Sequence, residues 1–201
     1  MEALRERIVR EGRGIGGGVL KVDSFLNHQI DVAFVEEMGQ ALADRFKGAC
    51  VTKILTVESS GIPIACAAAK ALGYLPVVFA KKAAPNTMIE GVYSTDVKSF
   101  TKETVSTIRV SRQFLGSEDR VLIIDDFLAY GESAMGLVRL AKNAGAHVCG
   151  IGVAVEKKFQ GGGDRLREAG YSVESLAVIR SISDDNIEFE DVLVTKEGEK
   201  E

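Results

Sequence analysis

Cysteine, histidine and proline are scarce in this 201-residue chain, and long apolar runs are missing altogether. The three cysteines, Cys50, Cys66 and Cys149, are isolated among apolar or small residues. They have neither the pairing of a disulfide framework nor the spacing of a zinc site, and are expected to be reduced core residues. His28 and His147 lie far apart, with no carboxylate or cysteine at ligand spacing, which favours structural roles over metal binding or base catalysis. No segment approaches the length needed to span a bilayer. Met1–Glu11 is a mixed-charge helical pattern without the apolar centre of a signal peptide, so the cytoplasm is the expected location and no membrane partner is expected. The formal charge of -4 leaves no positive footprint for a polyanionic duplex, so nucleic acid is not an expected partner either. No internal repeat, low-complexity stretch or Pro-rich linker divides the chain.

What is present is a globular composition: 46% hydrophobic and 27% charged residues, enough for one domain over 1–201 with a substantial core. From Asp31 to Lys47 apolar residues at Val35, Met38, Leu42 and Phe46 recur every three or four positions, which predicts an amphipathic helix with Asp31 as N-cap. Ile54–Val57 reads as a short strand. It is followed by the loop Glu58-Ser59-Ser60-Gly61 and a helix over Ile64–Leu72 that stops at Gly73. Pro76–Phe79 is a further strand-like run, and Lys81–Arg109 degrades into Thr-rich sequence expected to form a mobile loop or hairpin. Val121–Ile124 is a continuous β-branched run of the kind buried on both faces of a parallel sheet. A helix over Ser133–Asn143, a strand over His147–Val155, a helix over Asp164–Glu168 and a strand over Val173–Ile179 complete the pattern. The fold class is therefore α/β, a parallel central sheet flanked by helices, with ligands expected at the carboxyl ends of the strands.

The most informative segment runs from Val121 to Ser133: a buried strand, the adjacent acids Asp125 and Asp126, a short loop Ala129-Tyr130-Gly131-Glu132-Ser133, and a helix start. Unpaired N–H groups and the positive end of a helix dipole suit such a loop to a phosphate. Carboxylates just upstream are placed to accept hydrogen bonds from ribose hydroxyls. This segment resembles the phosphoribosyl pyrophosphate (PRPP) binding motif of type I phosphoribosyltransferases. The segments Leu20–Gln29, Glu58–Ile62, Ser99–Lys102 and Glu156–Gln160, dispersed along most of the chain, are similar to those of bacterial xanthine phosphoribosyltransferases.

The resemblance implies a phosphoribosyltransferase fold with a core over about 31–180, and N- and C-terminal segments forming a small hood lobe over the base. It implies an enzyme of purine salvage that transfers 5-phosphoribosyl from PRPP to xanthine and releases pyrophosphate, with Mg²⁺ carried mainly on PRPP or pyrophosphate, and a homodimer. By the same resemblance Asp125 and Asp126 are the catalytic pair at the ribose. Ala129, Tyr130, Gly131, Glu132 and Ser133 bind the 5-phosphate, and Ser59, Ser60 and Gly61, preceded by Glu58, serve the pyrophosphate side. Leu20, Asn27 and Lys157 frame the purine, Ser99, Phe100, Thr101 and Lys102 belong to a closing loop, and Lys81 or Lys82 neutralises pyrophosphate. No protein residue is assigned as a metal ligand. Hypoxanthine or guanine as the base, or a PRPP-sensing regulator of the same fold, are the alternative functions.

Tyr130 and Glu132 depart from the small or neutral residues usual in the phosphate loop. A carboxylate aimed at the phosphate would repel it, so either Glu132 points away or affinity for PRPP is reduced. Gly12–Gly17 matches the G-x-G-x-x-G string, but it follows a helical pattern and precedes a strand-like one, the inverse of the dinucleotide-binding context. Gly161-Gly162-Gly163 is read as turn geometry, not as a phosphate cradle.

Overall fold

The structure is a computed structural model that describes residues 1–15, 17–82, 91–99, 104–183 and 186–190. Helix α1 (Glu2–Glu11) leads into the antiparallel hairpin of β1 (Arg13–Ile15) and β2 (Val19–Lys21), then a π-helical turn over Asp23–Asn27 and helix α2 (Val32–Arg45). After it come β3 (Lys53–Val57), α3 (Gly61–Ala71) and β4 (Val77–Ala80), then the hairpin of β5 (Val92–Ser99) and β6 (Thr104–Ser111). The chain continues through β7 (Arg120–Leu128), α4 (Glu132–Asn143), β8 (His147–Lys157), α5 (Gly162–Glu168), β9 (Val173–Ser183) and β10 (Asn186–Phe189).

The central sheet has the strand order β10-β9-β8-β7-β3-β4; all neighbours are parallel except β10, which runs antiparallel along β9. Asp31 caps α2 as expected, its side chain accepting a hydrogen bond from the Phe34 N–H at 3.2 Å. The continuous apolar run of β7 divides between two cores. Leu122 and Ile124 face the side covered by α1, α2 and α3; Val121 and Ile123 face the side covered by α4 and the β5–β6 hairpin. Glycines let the α2 layer lie close to the sheet. A side chain on Gly150 of β8 would run into the Phe46 ring, one on Gly152 would crowd Ile124, Leu42 and Phe46, and one on Gly39 would collide with Ala67 of α3.

The cysteines correct the sequence reading. All three are free thiols, but Cys50 and Cys66 are exposed and Cys149 is only half-buried. Cys66 falls on the solvent side of α3, whose inward positions are Ile64, Ala65, Ala67, Ala68 and Ala69. Cys50 sits in the turn after α2 in a left-handed backbone conformation. The two histidines are exposed as well. Gly12 ends α1 through its N–H to the Ile8 carbonyl, so the glycine-rich string does follow a helix and lead into a strand. Among the described residues no helix is long and apolar enough to cross a membrane.

Candidate active site

The parallel strands β3, β7 and β8 end on one edge of the sheet, and the predicted site residues gather there. β7 is longer than its apolar run: it extends through both acids to Leu128 and pairs with β8 as far as Glu156. Pleating separates the two acids. Asp125 is buried at 6% exposure and accepts the Asp126 N–H at 2.9 Å, whereas Asp126 is half-buried. Gly61, the first residue of α3, packs so closely that a Cβ there would lie 2.6 Å from the Thr56 hydroxyl and 2.9 Å from Asp125 Oδ1. Burial first, and the neighbouring Asp126 charge second, push the Asp125 carboxyl well above the usual carboxylate range.

From the end of β7 to the first turn of α4, residues 127–134 line a cleft of about 200 Å³. Its other walls include Lys82, Lys98 and Ser106. All five predicted phosphate-loop residues, Ala129 to Ser133, line this cleft, and it lies at the N-terminus of the 12-residue α4. Gly131 takes φ 81° as the residue preceding α4, a left-handed conformation that glycine adopts without strain. Of the two candidate lysines, Lys82 lines the cleft. Lys81 instead has its ammonium 5.7 Å from the centre of the Phe79 ring. The Lys82 N–H donates to Glu58 Oε1 at 2.5 Å, tying the loop that holds Ser59 and Ser60 to this wall; the Glu58–Ser59 peptide is cis.

Lys157 ends β8 and donates from Nζ to the Gly18 carbonyl at 2.9 Å, so it joins the sheet to the hairpin that carries Leu20. Its ammonium also lies 5.3 Å from the centre of the Phe127 ring. Burial lowers its pKa, and the nearby Asp126 charge partly opposes that shift. Leu20 is buried in the core beneath the hairpin, and Asn27 is exposed at the end of the π-helical turn. Ser99 ends β5; Phe100, Thr101 and Lys102 lie outside the described residues.

Of the three glycines after β8, Gly161 takes the expected turn at φ 73°, whereas Gly162 and Gly163 are also required by close packing. The Gly162 N–H donates to the Ala129 carbonyl at 3.1 Å, and a Cβ on Gly162 would collide with that carbonyl and with the Gly131 nitrogen. Backbone therefore lies against backbone under the Ala129–Ser133 loop. Gly163 is held clear by the carboxylate of Glu156, which occupies the place of its Cβ. Glu156 is only 1% exposed. Burial would raise its pKa, but two 2.8 Å hydrogen bonds from Arg167 and one of 2.5 Å from the Ser175 hydroxyl outweigh it and hold the carboxylate ionised. Lys98 and Ser106 were missed from sequence because alternation along β5 and β6 marks which residues face inward, not that the hairpin folds over α4. That packing is close: a Cβ on Gly136 of α4 would strike Val97.

The phosphoribosyl transferase domain family matches residues 22–192 of the chain. Among curated proteins, the xanthine phosphoribosyltransferase of Bifidobacterium adolescentis is 53% identical over 191 residues, covering 94% of this chain and 99% of that protein. That of Staphylococcus carnosus is 50% identical over 187 residues, covering 93% and 97%. Among solved structures, the Trypanosoma brucei adenine phosphoribosyltransferase in complex with AMP, pyrophosphate and ribose-5-phosphate aligns with a TM-score of 0.75 at 19% identity. It covers 98% of this chain and 87% of its own. The Giardia lamblia enzyme complexed with 9-deazaadenine gives 0.72 at 20%, covering 87% and 96%. At these identities the structural likeness shows the fold.

Proposed function

This chain belongs to the phosphoribosyltransferase family, and we propose that it is a purine salvage enzyme that transfers 5-phosphoribosyl from PRPP to xanthine. The bond between the anomeric carbon and the pyrophosphate oxygen breaks as one forms to a purine nitrogen, giving xanthosine 5'-monophosphate and pyrophosphate. The observation that carries this reading is the alignment along one sheet edge of the Ala129–Ser133 loop, the acids of β7 and Lys157. Phosphate, ribose and base would thus lie over the ends of adjacent strands.

The loop at the start of α4 would hold the 5-phosphate on backbone N–H groups and the helix dipole. Asp126, the more accessible acid, would accept from a ribose hydroxyl, while Asp125 fixes the Asp126 backbone and neighbours α3. Positive charge develops on the ribose ring as the leaving pyrophosphate gains negative charge, and Lys82 with the Glu58–Gly61 loop is placed for the latter. Lys157 donates to a purine oxygen, with the β1–β2 hairpin, Leu20 and Asn27 forming the hood above it. Xanthine carries an oxygen where guanine has an amino group, so donors at the base favour it. The Ser99–Lys102 segment would close over the reactants and exclude water.

Magnesium is the expected cofactor. The ion is expected to be carried mainly by the oxygens of its substrate, because Mg²⁺ keeps oxygen ligands and commonly uses substrate phosphates in place of an all-protein cage. When bound it would neutralise charge on the departing pyrophosphate. The enzyme would act in the cytoplasm as a homodimer.

Steady-state turnover of xanthine, guanine, hypoxanthine and adenine with PRPP and Mg²⁺ tests the reading, with Lys157→Ala and Asp126→Ala alongside the parent. Xanthine is expected to give the highest kcat/KM, with losses of at least tenfold in both variants, on the scale of one charge-assisted hydrogen bond. Preference for hypoxanthine or guanine would reassign the base. Binding of PRPP without turnover of any base would make the protein a sensor.

A further inference from the structure

Glu132 places a carboxylate at the first position of α4, where the 5-phosphate is to bind, and a second anion there would compete with the ligand for the same helix terminus. The structure shows how that charge is met. Arg165, on α5, reaches Glu132 Oε1 with Nη2 at 3.1 Å, and the same nitrogen donates to the Tyr130 carbonyl at the tip of the loop. One guanidinium thus bridges the acid and the backbone of the phosphate loop. It comes from the helix whose Gly162 already lies under that loop. Arg165 is 54% exposed and Glu132 26%, so this ion pair contributes little to folding stability. Its effect is on the charge and shape that the loop presents.

Resting on the phosphoribosyl-transfer reading, we propose that Arg165 is a positioning residue for PRPP. It draws the Glu132 carboxylate toward α5 and cancels its charge, and it holds the Tyr130 carbonyl against the same helix, so that the loop accepts the phosphate dianion. The acid that appears unsuited to a phosphate loop in sequence is compensated by an arginine 33 positions later. Arg165 is not among the residues that line the cleft, so it would act through Glu132 and Tyr130.

The test compares the parent with Arg165→Ala, Glu132→Gln and the double variant. It measures binding of ribose 5-phosphate by calorimetry at fixed ionic strength, and KM for PRPP and for xanthine separately. Arg165→Ala is expected to weaken ribose 5-phosphate and raise KM for PRPP about tenfold, the scale of one charged hydrogen bond, with KM for xanthine and the melting temperature little changed. The double variant is expected to recover to within about threefold of Glu132→Gln, because no uncompensated acid remains. Unchanged binding in Arg165→Ala would overturn the proposal. A double variant as weak as Arg165→Ala would also overturn it, since the effect of Arg165 would then not run through the Glu132 charge. A parent that binds no ribose 5-phosphate would instead overturn the phosphoribosyl reading, and this proposal with it.

Discussion

Asp125 and Asp126 are adjacent in sequence, yet the pleat of β7 sends one side chain into the interior and leaves the other half-exposed. Burial keeps Asp125 protonated to higher pH than in the unfolded chain, so between the unfolded and folded pKa values the native state binds the extra proton. Stability must therefore fall as pH rises through that window. An Asn at this position retains an acceptor for the Asp126 N–H and cannot ionise. Thermal melts of Asp125→Asn and the parent from pH 4 to 8 are expected to diverge as pH rises, with the variant the more stable at neutral pH. Parallel curves would show that the buried carboxyl does not titrate in this way. The pair of acids was plain in the sequence, but the contrast between them was not. It comes from Gly61 and Thr56, which approach Asp125 only once β3 lies beside β7. For the same reason Arg165 and the Gly162 floor were illegible, because their partners in the phosphate loop are about 30 residues away along the chain.

At the level of elements, the alternation of strands and helices was readable wherever apolar periodicity was strong. Helix α4 begins one residue before its predicted start, and α2 carries its expected cap. The stretch from Lys81 to Arg109 does contain a hairpin, β5–β6. The short edge strand β10 was missed: its four residues, Asn-Ile-Glu-Phe, are stabilised by pairing with β9 and give little pattern of their own. One of the contacts that attach the N-terminal elements, that of Arg7, was also hidden. Its guanidinium lies 4.8 Å from the Phe25 ring centre and 4.7 Å from that of Phe34, and it pairs with Asp31 at 2.7 Å. One side chain on α1 thus clamps the π-helical turn to the start of α2. Arg7→Ala is expected to cost about 1 to 2 kcal/mol through the lost ring contacts, with little added by the partly exposed ion pair. That corresponds to a fall of about 2 to 8 °C in Tm for a chain of this size. The accompanying loss should appear in KM for xanthine more than in KM for PRPP. Equal increases in both would show that the clamp does not act through the hood.

For the whole molecule, the homodimer implied by family resemblance can be tested by sedimentation or light scattering, with an expected mass of twice the 21.6 kDa of one chain. A fully active species at 21.6 kDa would refute it. Exposed apolar side chains such as Tyr74, Phe79 and Val32 are compatible with further burial on association, without themselves defining the interface. The union of Lys157 with Gly18 has a different consequence. The β1–β2 hairpin is joined to the end of β8 by this hydrogen bond, and five residues further on Gly162 supports the Ala129–Ser133 loop. On the proposed function, the base end of the substrate would meet the hairpin and the 5-phosphate end the Ala129–Ser133 loop, with the stretch from Lys157 to Gly162 bracing both. If that assignment holds, a directed-evolution library confined to residues 13–29 would sample new nucleobases while the residues proposed to grip the sugar phosphate are inherited unchanged, and base preference could diverge faster than the chemistry it serves.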